Sequence, residues 1–353
     1  MSELPAAPPP SAHPPHQPPP GSPDGPTEPA ESPGPAHPTF TWLLWLLVGV
    51  ALWAVSVAVV TATKNIYLVP TVVLLGSFTV PAAFTLRAHE RYGSTLGQET
   101  IIRCFAVGGV LGVLGSSLLE HYLLRPSFWI YVGVALIEEA VKLGCLVLIT
   151  RRLPVRGRLY GLVLGGAVGF GFAAFESAGY ALDAVINVDG LDLRNLVETE
   201  TVRGLLAPVG HGLWTGLMGA VLFHHRRGTR FRITPPVVLT FLGVSALHAF
   251  WDSASGIAVW LTALVTAHGS AGLQDSLNDL GYLRAEATDQ QTQLYTLFNT
   301  LGLLLASALG LLWLWRAVPV AMRPPPGFTD ALLSSARRMR LHTRPRPRRH
   351  FRG

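Results

Sequence analysis

Eight apolar runs, each long enough to cross a bilayer, begin near Phe40, Ile66, Ile101, Ser127, Leu159, Val202, Pro235 and Thr292. A crossing needs about 20 residues at ~1.5 Å each. Lipid offers no water to satisfy backbone N–H and C=O groups, so runs of this length must be helices that bond internally. They dominate the chain: its 353 residues are 49% hydrophobic and only 14% charged, although both ends are polar. The fold class that follows is an all-α polytopic membrane protein with about eight transmembrane helices.

Orientation is read from arginine, because lysine occurs only at Lys64 and Lys142. Arg151, Arg152, Arg156 and Arg158 follow the fourth run, Arg226, Arg227, Arg230 and Arg232 follow the sixth, and the C-terminal tail is basic throughout. The positive-inside rule places these segments in the cytoplasm, and eight crossings then place both termini there. Asp183, Asp189, Asp192, Glu198 and Glu200 between runs five and six, and Asp275, Asp279, Glu286 and Asp289 between runs seven and eight, fall on the outer side. Both cysteines, Cys104 and Cys145, lie inside apolar runs, which is no disulfide framework.

Three segments follow from this. Residues 1–38 are Pro-rich without Lys or Arg, a composition with too little apolar surface to offset ordering entropy, and they read as a disordered tail. They do not resemble a secretory signal, whose short basic start would directly precede the apolar core. Residues 39–320 form the membrane domain. Residues 321–353 form a basic cytoplasmic tail suited to anionic lipid, with no nucleic-acid partner expected; a short interfacial helix starting at Thr329 or Asp330 would turn Leu332, Leu333, Ala336 and Met339 toward the headgroups. Within the membrane domain, Gly161, Gly165 and Gly169 recur every fourth residue, which permits close helix approach in lipid. A phosphate-binding loop is the competing reading, but no strand precedes these glycines. The run from Pro235 to Ala267 exceeds one crossing, and Gly256 is the expected position of a break.

The stretch ALIEEAVKLGCLVLIT, residues 135–150, is apolar except at Glu138, Glu139 and Lys142. On a soluble helix Glu138 and Lys142 would be a surface pair worth ~0.3 kcal/mol. In a bilayer each charge costs on the order of 3 kcal/mol, so a single pair does not explain them. Glu176, His211, His248 and Asp252 share the same problem, and His248 and Asp252 lie four apart on one helix face. Counted at ~1.5 Å per residue from the outer edge, Glu138 lies at about 16 Å, His211 about 14 Å, His248 about 10 Å and Glu176 about 9 Å. Four helices thus bring their polar groups to the middle and outer half of the bilayer. Carboxylates facing histidines there suit a hydrolase that takes a proton from water and returns it to a leaving amine. The same groups also suit a proton or metal-ion transporter.

Glu138-Glu139-x-x-Lys142, Phe172-x-x-x-Glu176, His211 in a Gly-rich helix and His248-x-x-x-Asp252, in that order on successive spans, resemble the PrsW family of intramembrane proteases. That family is related to the type II CAAX prenyl endopeptidases and the bacteriocin-immunity-type membrane proteases. The resemblance covers about residues 40–267, with the motif core in 127–256. It implies site-specific cleavage of membrane-anchored proteins, in some members anti-sigma factors, near the outer face of the bacterial cell membrane. Carried over, Glu138 activates water, Glu139 and Lys142 tune or position it, Glu176 completes the water site and His248 stabilises the oxyanion. The prenyl-endopeptidase branch has His where Glu176 stands and Asn where Asp252 stands. An ionised Asp252 cannot donate a hydrogen bond, so its expected task is to orient and charge His248, while Glu176 is expected to share a proton with Glu138. A metal-free glutamate mechanism is the favoured expectation, with no cofactor. The alternative is zinc held by Glu138, Glu176, His211 and His248, although no His-Glu-x-x-His helix is present. The transporter reading predicts polar groups reaching both faces, whereas this set stops short of the cytoplasmic side.

Overall fold

A computed structural model of the chain describes residues 40–187, 190–266 and 287–321. The Pro-rich tail, the basic tail with its expected interfacial helix, and the acids Asp275, Asp279 and Glu286 lie outside the described residues. Ten helices occur among the described residues: α1 Thr41–Thr63, α2 Val69–Leu96, α3 Gln98–Leu123, α4 Ile130–Thr150, α5 Arg158–Val185, α6 Leu193–Leu206, α7 His211–His224, α8 Pro235–Asp252, α9 Ala254–Thr266 and α10 Asp289–Ala321. The one strand pairing among them is a two-residue antiparallel contact of Ile186–Asn187 with Gly190–Leu191.

By length and composition, six of these segments can cross a membrane, and the α8–α9 pair makes a seventh if counted as one bent span. The one run left over is the fourth of the sequence, α4, which has the length, 21 residues, but carries Glu138, Glu139 and Lys142. The sixth span begins earlier than Val202, because α6, a short 3₁₀ turn and α7 run on as Leu193–His224. Glu198 and Glu200, expected in an outer loop, are therefore helical, as are Asp183 in α5 and Asp289 at the start of α10. Glu200 is buried, and its carboxylate accepts a 2.7 Å hydrogen bond from the Trp53 indole of α1. The long seventh run does break, but at Ser253 with a bend of 52°, leaving Gly256 inside α9.

α5 is the central helix, with α2, α3 and α7 packed around it. Its glycines serve packing. Gly161, Gly165 and Gly169 lie against the backbones of Gly219, Thr215 and His211 of α7, so closely that a Cβ on any of them would strike a carbonyl oxygen. At Gly169 that oxygen belongs to His211, so the missing side chain is what lets the start of α7 rest on α5. Toward the cytoplasmic end of the expected topology, Leu96, Ile101, Cys104, Leu146, Leu164, Val168 and Phe223 form an apolar plug. Both cysteines are free and buried.

Arg226 closes this end. It is fully buried, and its guanidinium donates to the carbonyls of Thr150 (2.9 Å), Arg151 (3.1 Å), Val155 (3.3 Å) and Thr229 (3.2 Å). The Phe231 ring lies 4.3 Å from its centre. A cation suits the exposed carbonyls at the C-terminus of α4, and Arg226 ties that end to the segment after α7.

Candidate active site

Above the plug, α4 turns Glu138, Glu139 and Lys142 inward. All three are buried, Glu139 and Lys142 completely. The Lys142 ammonium sits 2.6 Å from Glu139 Oε1, 3.3 Å from Glu138 Oε2 and 2.8 Å from His211 Nδ1. Its remaining side meets the Phe172 ring at 4.2 Å. Three donors therefore find three acceptors, the condition under which a buried ammonium is tolerated.

His211, the first residue of α7, links two helices. Its Nδ1 accepts from Lys142, and its Nε2 lies 2.9 Å from Glu176 Oε2 of α5. Both contacts agree with the Nε2–H tautomer, because an ammonium can only donate and a carboxylate accepts. His248 of α8 faces carboxylates at both nitrogens: Glu139 at 2.9 Å on Nδ1, Asp252 at 3.2 Å and Glu138 at 3.6 Å on Nε2. A ring so placed donates from both nitrogens, as an imidazolium does. Trp214 walls the two rings together, 5.2 Å from His211 and 4.8 Å from His248.

All seven residues singled out in the sequence thus meet in one cluster, drawn from α4, α5, α7 and α8. Glu176 has a further partner that the sequence reading did not include: Arg203 of α6 contacts the same oxygen, Oε2, at 2.5 Å. Arg203 also donates from Nε to Ser177 Oγ at 2.9 Å and stacks on Tyr180 at 4.2 Å. Sequence reading passed over Arg203 and Trp214. For Arg203 a signal existed, an arginine at the end of an apolar run that the expected topology places outside, against the positive-inside bias.

A cavity of about 190 Å³ opens beside the cluster, lined by Glu176, His211, Asp252, Arg203, Tyr180 and Trp251 among others. At roughly 30 Å³ per water it has room for several waters beside the carboxylates.

One atom each from Glu138, His211 and His248 lie within 4.8 Å of one another, a spacing and ligand set that fit a divalent ion. The surroundings agree, because the second nitrogen of each imidazole is held by a carboxylate, Glu176 for His211 and Glu139 for His248. Four carboxylates facing two fixed cations, Lys142 and Arg203, also leave negative charge for an ion or for protons to balance. Of the four ligands expected from the sequence, this trio contains Glu138, His211 and His248, and Glu176 adjoins it through His211. Lys142 would have to withdraw from His211 Nδ1 to admit the ion.

A family model described as PrsW family intramembrane metalloprotease matches residues 40–271. The chain belongs to the PrsW family. No curated protein and no solved structure matches it. As a PrsW-family member the protein is a multi-pass membrane protein and an intramembrane peptidase, hence a hydrolase acting on protein.

Proposed function

We propose that the protein is an intramembrane endopeptidase that hydrolyses a peptide bond of a membrane-anchored protein in the outer half of the bilayer, with Glu138 activating the water. The observation that carries this reading is the unequal hold on two adjacent carboxylates. Glu139 is completely buried and gripped by Lys142 at 2.6 Å and His248 at 2.9 Å. Glu138 retains slight exposure, and its contacts to the same two groups are 3.3 and 3.6 Å. The loosely held acid is the one free to take a proton from water and return it to the departing amine. The tightly held one fixes the lysine and the histidine.

His248 then stabilises the developing oxyanion with an N–H, and Asp252 orients and charges that ring. Glu176 and His211 complete the water site next to the cavity. The family description and the Glu138, His211 and His248 trio favour a second form of the same reading, in which these three residues hold zinc. Bound there, such an ion supplies Lewis-acid polarisation of a carbonyl oxygen. Metal content of the purified protein, with cleavage before and after chelation, separates the two forms.

The wider setting of the proposal is eight crossings with α4 among them, both termini in the cytoplasm of a bacterial cell, and the basic tail against anionic lipid. The substrate class is a regulator anchored in the same membrane, such as an anti-sigma factor. A transporter is disfavoured by the apolar plug beneath the cluster. The test compares new protein termini in cells carrying the native chain or Glu138→Gln at matched expression. Extracytoplasmic cleavages that vanish with the variant support the proposal; identical profiles under several stresses overturn it and make ion flux in proteoliposomes the next assay.

A further inference from the structure

Arg203 is the one cation brought to the cavity by α6, and neither the motif residues nor the proposed chemistry uses it. It is three-quarters buried, with a side-chain exposure of 25%, and it is fixed at three points: Glu176 Oε2 at 2.5 Å, Ser177 Oγ at 2.9 Å and the Tyr180 ring at 4.2 Å. All three anchors lie on the last turns of α5. The planar guanidinium is therefore clamped in one orientation, which a flexible ammonium could not reproduce.

The oxygen it grips is the same Oε2 that meets His211 Nε2 at 2.9 Å. The guanidinium can only donate, so this oxygen is an acceptor shared by Arg203 and His211, and the imidazole presents Nε2–H to it. The lone pair of Nδ1 then points inward, where Lys142 lies at 2.8 Å and Glu139 at 4.0 Å. We infer that Arg203 is a positioning residue of this peptidase: acting through Glu176 from one side, as Lys142 acts from the other, it holds His211 in the Nε2–H tautomer and directs the Nδ1 lone pair into the cluster. Either form of the proposed chemistry needs that lone pair, to restrain Lys142 in the one and to ligate in the other. The inference rests on the proposed function for its kinetic consequence and on geometry alone for the tautomer.

The test uses the full chain in lipid nanodiscs, with ring-¹⁵N histidine and a His211→Gln control to assign the His211 signals among the 12 histidines. The native protein should show protonated Nε2 and bare Nδ1. Arg203→Gln should mix or invert the tautomers. It should also slow cleavage of a substrate identified in the terminus comparison about 10- to 100-fold, the usual effect of removing a group behind a ligand or catalytic histidine, mainly in kcat. Methylguanidinium should restore part of the rate to Arg203→Ala, and Arg203→Lys should recover less than the native rate. Thermal melting of each variant identifies those that fail to fold, and Arg203→Lys, which keeps the charge, carries the test if the other variants do not fold. A native His211 protonated on Nδ1, or an Arg203→Gln protein with unchanged tautomer and rate, overturns the inference. Absence of cleavage by the native chain would count against the proposed function instead and leave the tautomer result standing.

Discussion

Two cations among the described residues, Arg226 and Lys142, are completely buried, and their acceptors differ in kind. Arg226 donates to four main-chain carbonyls at the plugged end. Lys142 donates to two carboxylates and an imidazole next to the cavity. Each also lies over an aromatic ring, Phe231 at 4.3 Å and Phe172 at 4.2 Å, so burial and packing alone do not distinguish them. The difference lies in the acceptors. Carbonyls neither titrate nor exchange protons with water, so Arg226 can only fasten helix ends. The partners of Lys142 can do both, so its site stores chemistry as well as structure.

The sharpest way to break this contrast is Lys142→Met. Removing the ammonium leaves two buried carboxylates without their cation, at a cost of about 3–5 kcal/mol, and both the melting temperature in detergent and cleavage should collapse. A stable Lys142→Met protein would mean the two glutamates do not depend on it. Arg226→Ala comes next. It strands the carbonyls around Thr150 and should cost about 2–3 kcal/mol, read as a lower melting temperature and faster proteolysis of the segments at 151–157 and 225–234. Cleavage per folded molecule should stay native; a matching loss there would erase the distinction between clamp and active site. Gly169→Ala sits between the two regions. Its Cβ would meet the His211 carbonyl, so about 1–3 kcal/mol of overpacking is expected, and the activity of the folded fraction should fall because His211 shifts. Trp53→Phe is the mildest. It removes the hydrogen bond to Glu200, which involves neither cation, and should cost about 1 kcal/mol with unchanged cleavage per folded molecule.

The sequence disclosed what depends on residue type along one helix. Apolar length marked the membrane segments, and glycines at every fourth position marked the α5–α7 contact. Charges inside apolar runs marked all seven cluster residues, because lipid makes such charges too costly to be incidental. What stayed hidden depends on which element meets which. Arg226 is one of eight loop arginines that read alike as orientation signals, and only the fold shows it turned inward onto carbonyls. Glu200 reads as a loop acid until α6 is seen to begin at Leu193 and to face Trp53. The resemblance set Glu176 beside Glu138, but its contact with Arg203, from a helix whose rotation no spacing rule fixes, is visible only in the fold. The break after Asp252 was expected at the nearest glycine, yet the bend falls at Ser253, where the last polar group of the cluster ends α8.

The central claim is that the loosely held carboxylate of an adjacent pair is the one that works. It is tested most directly by reconstituting native, Glu138→Gln and Glu139→Gln proteins in liposomes with a substrate identified from cellular termini, and measuring initial cleavage rates per folded molecule alongside melting temperature. Glu138→Gln should melt near the native temperature and lose at least about 10²-fold in rate, whereas Glu139→Gln should lose stability first. Undiminished cleavage by a folded Glu138→Gln protein would contradict the account.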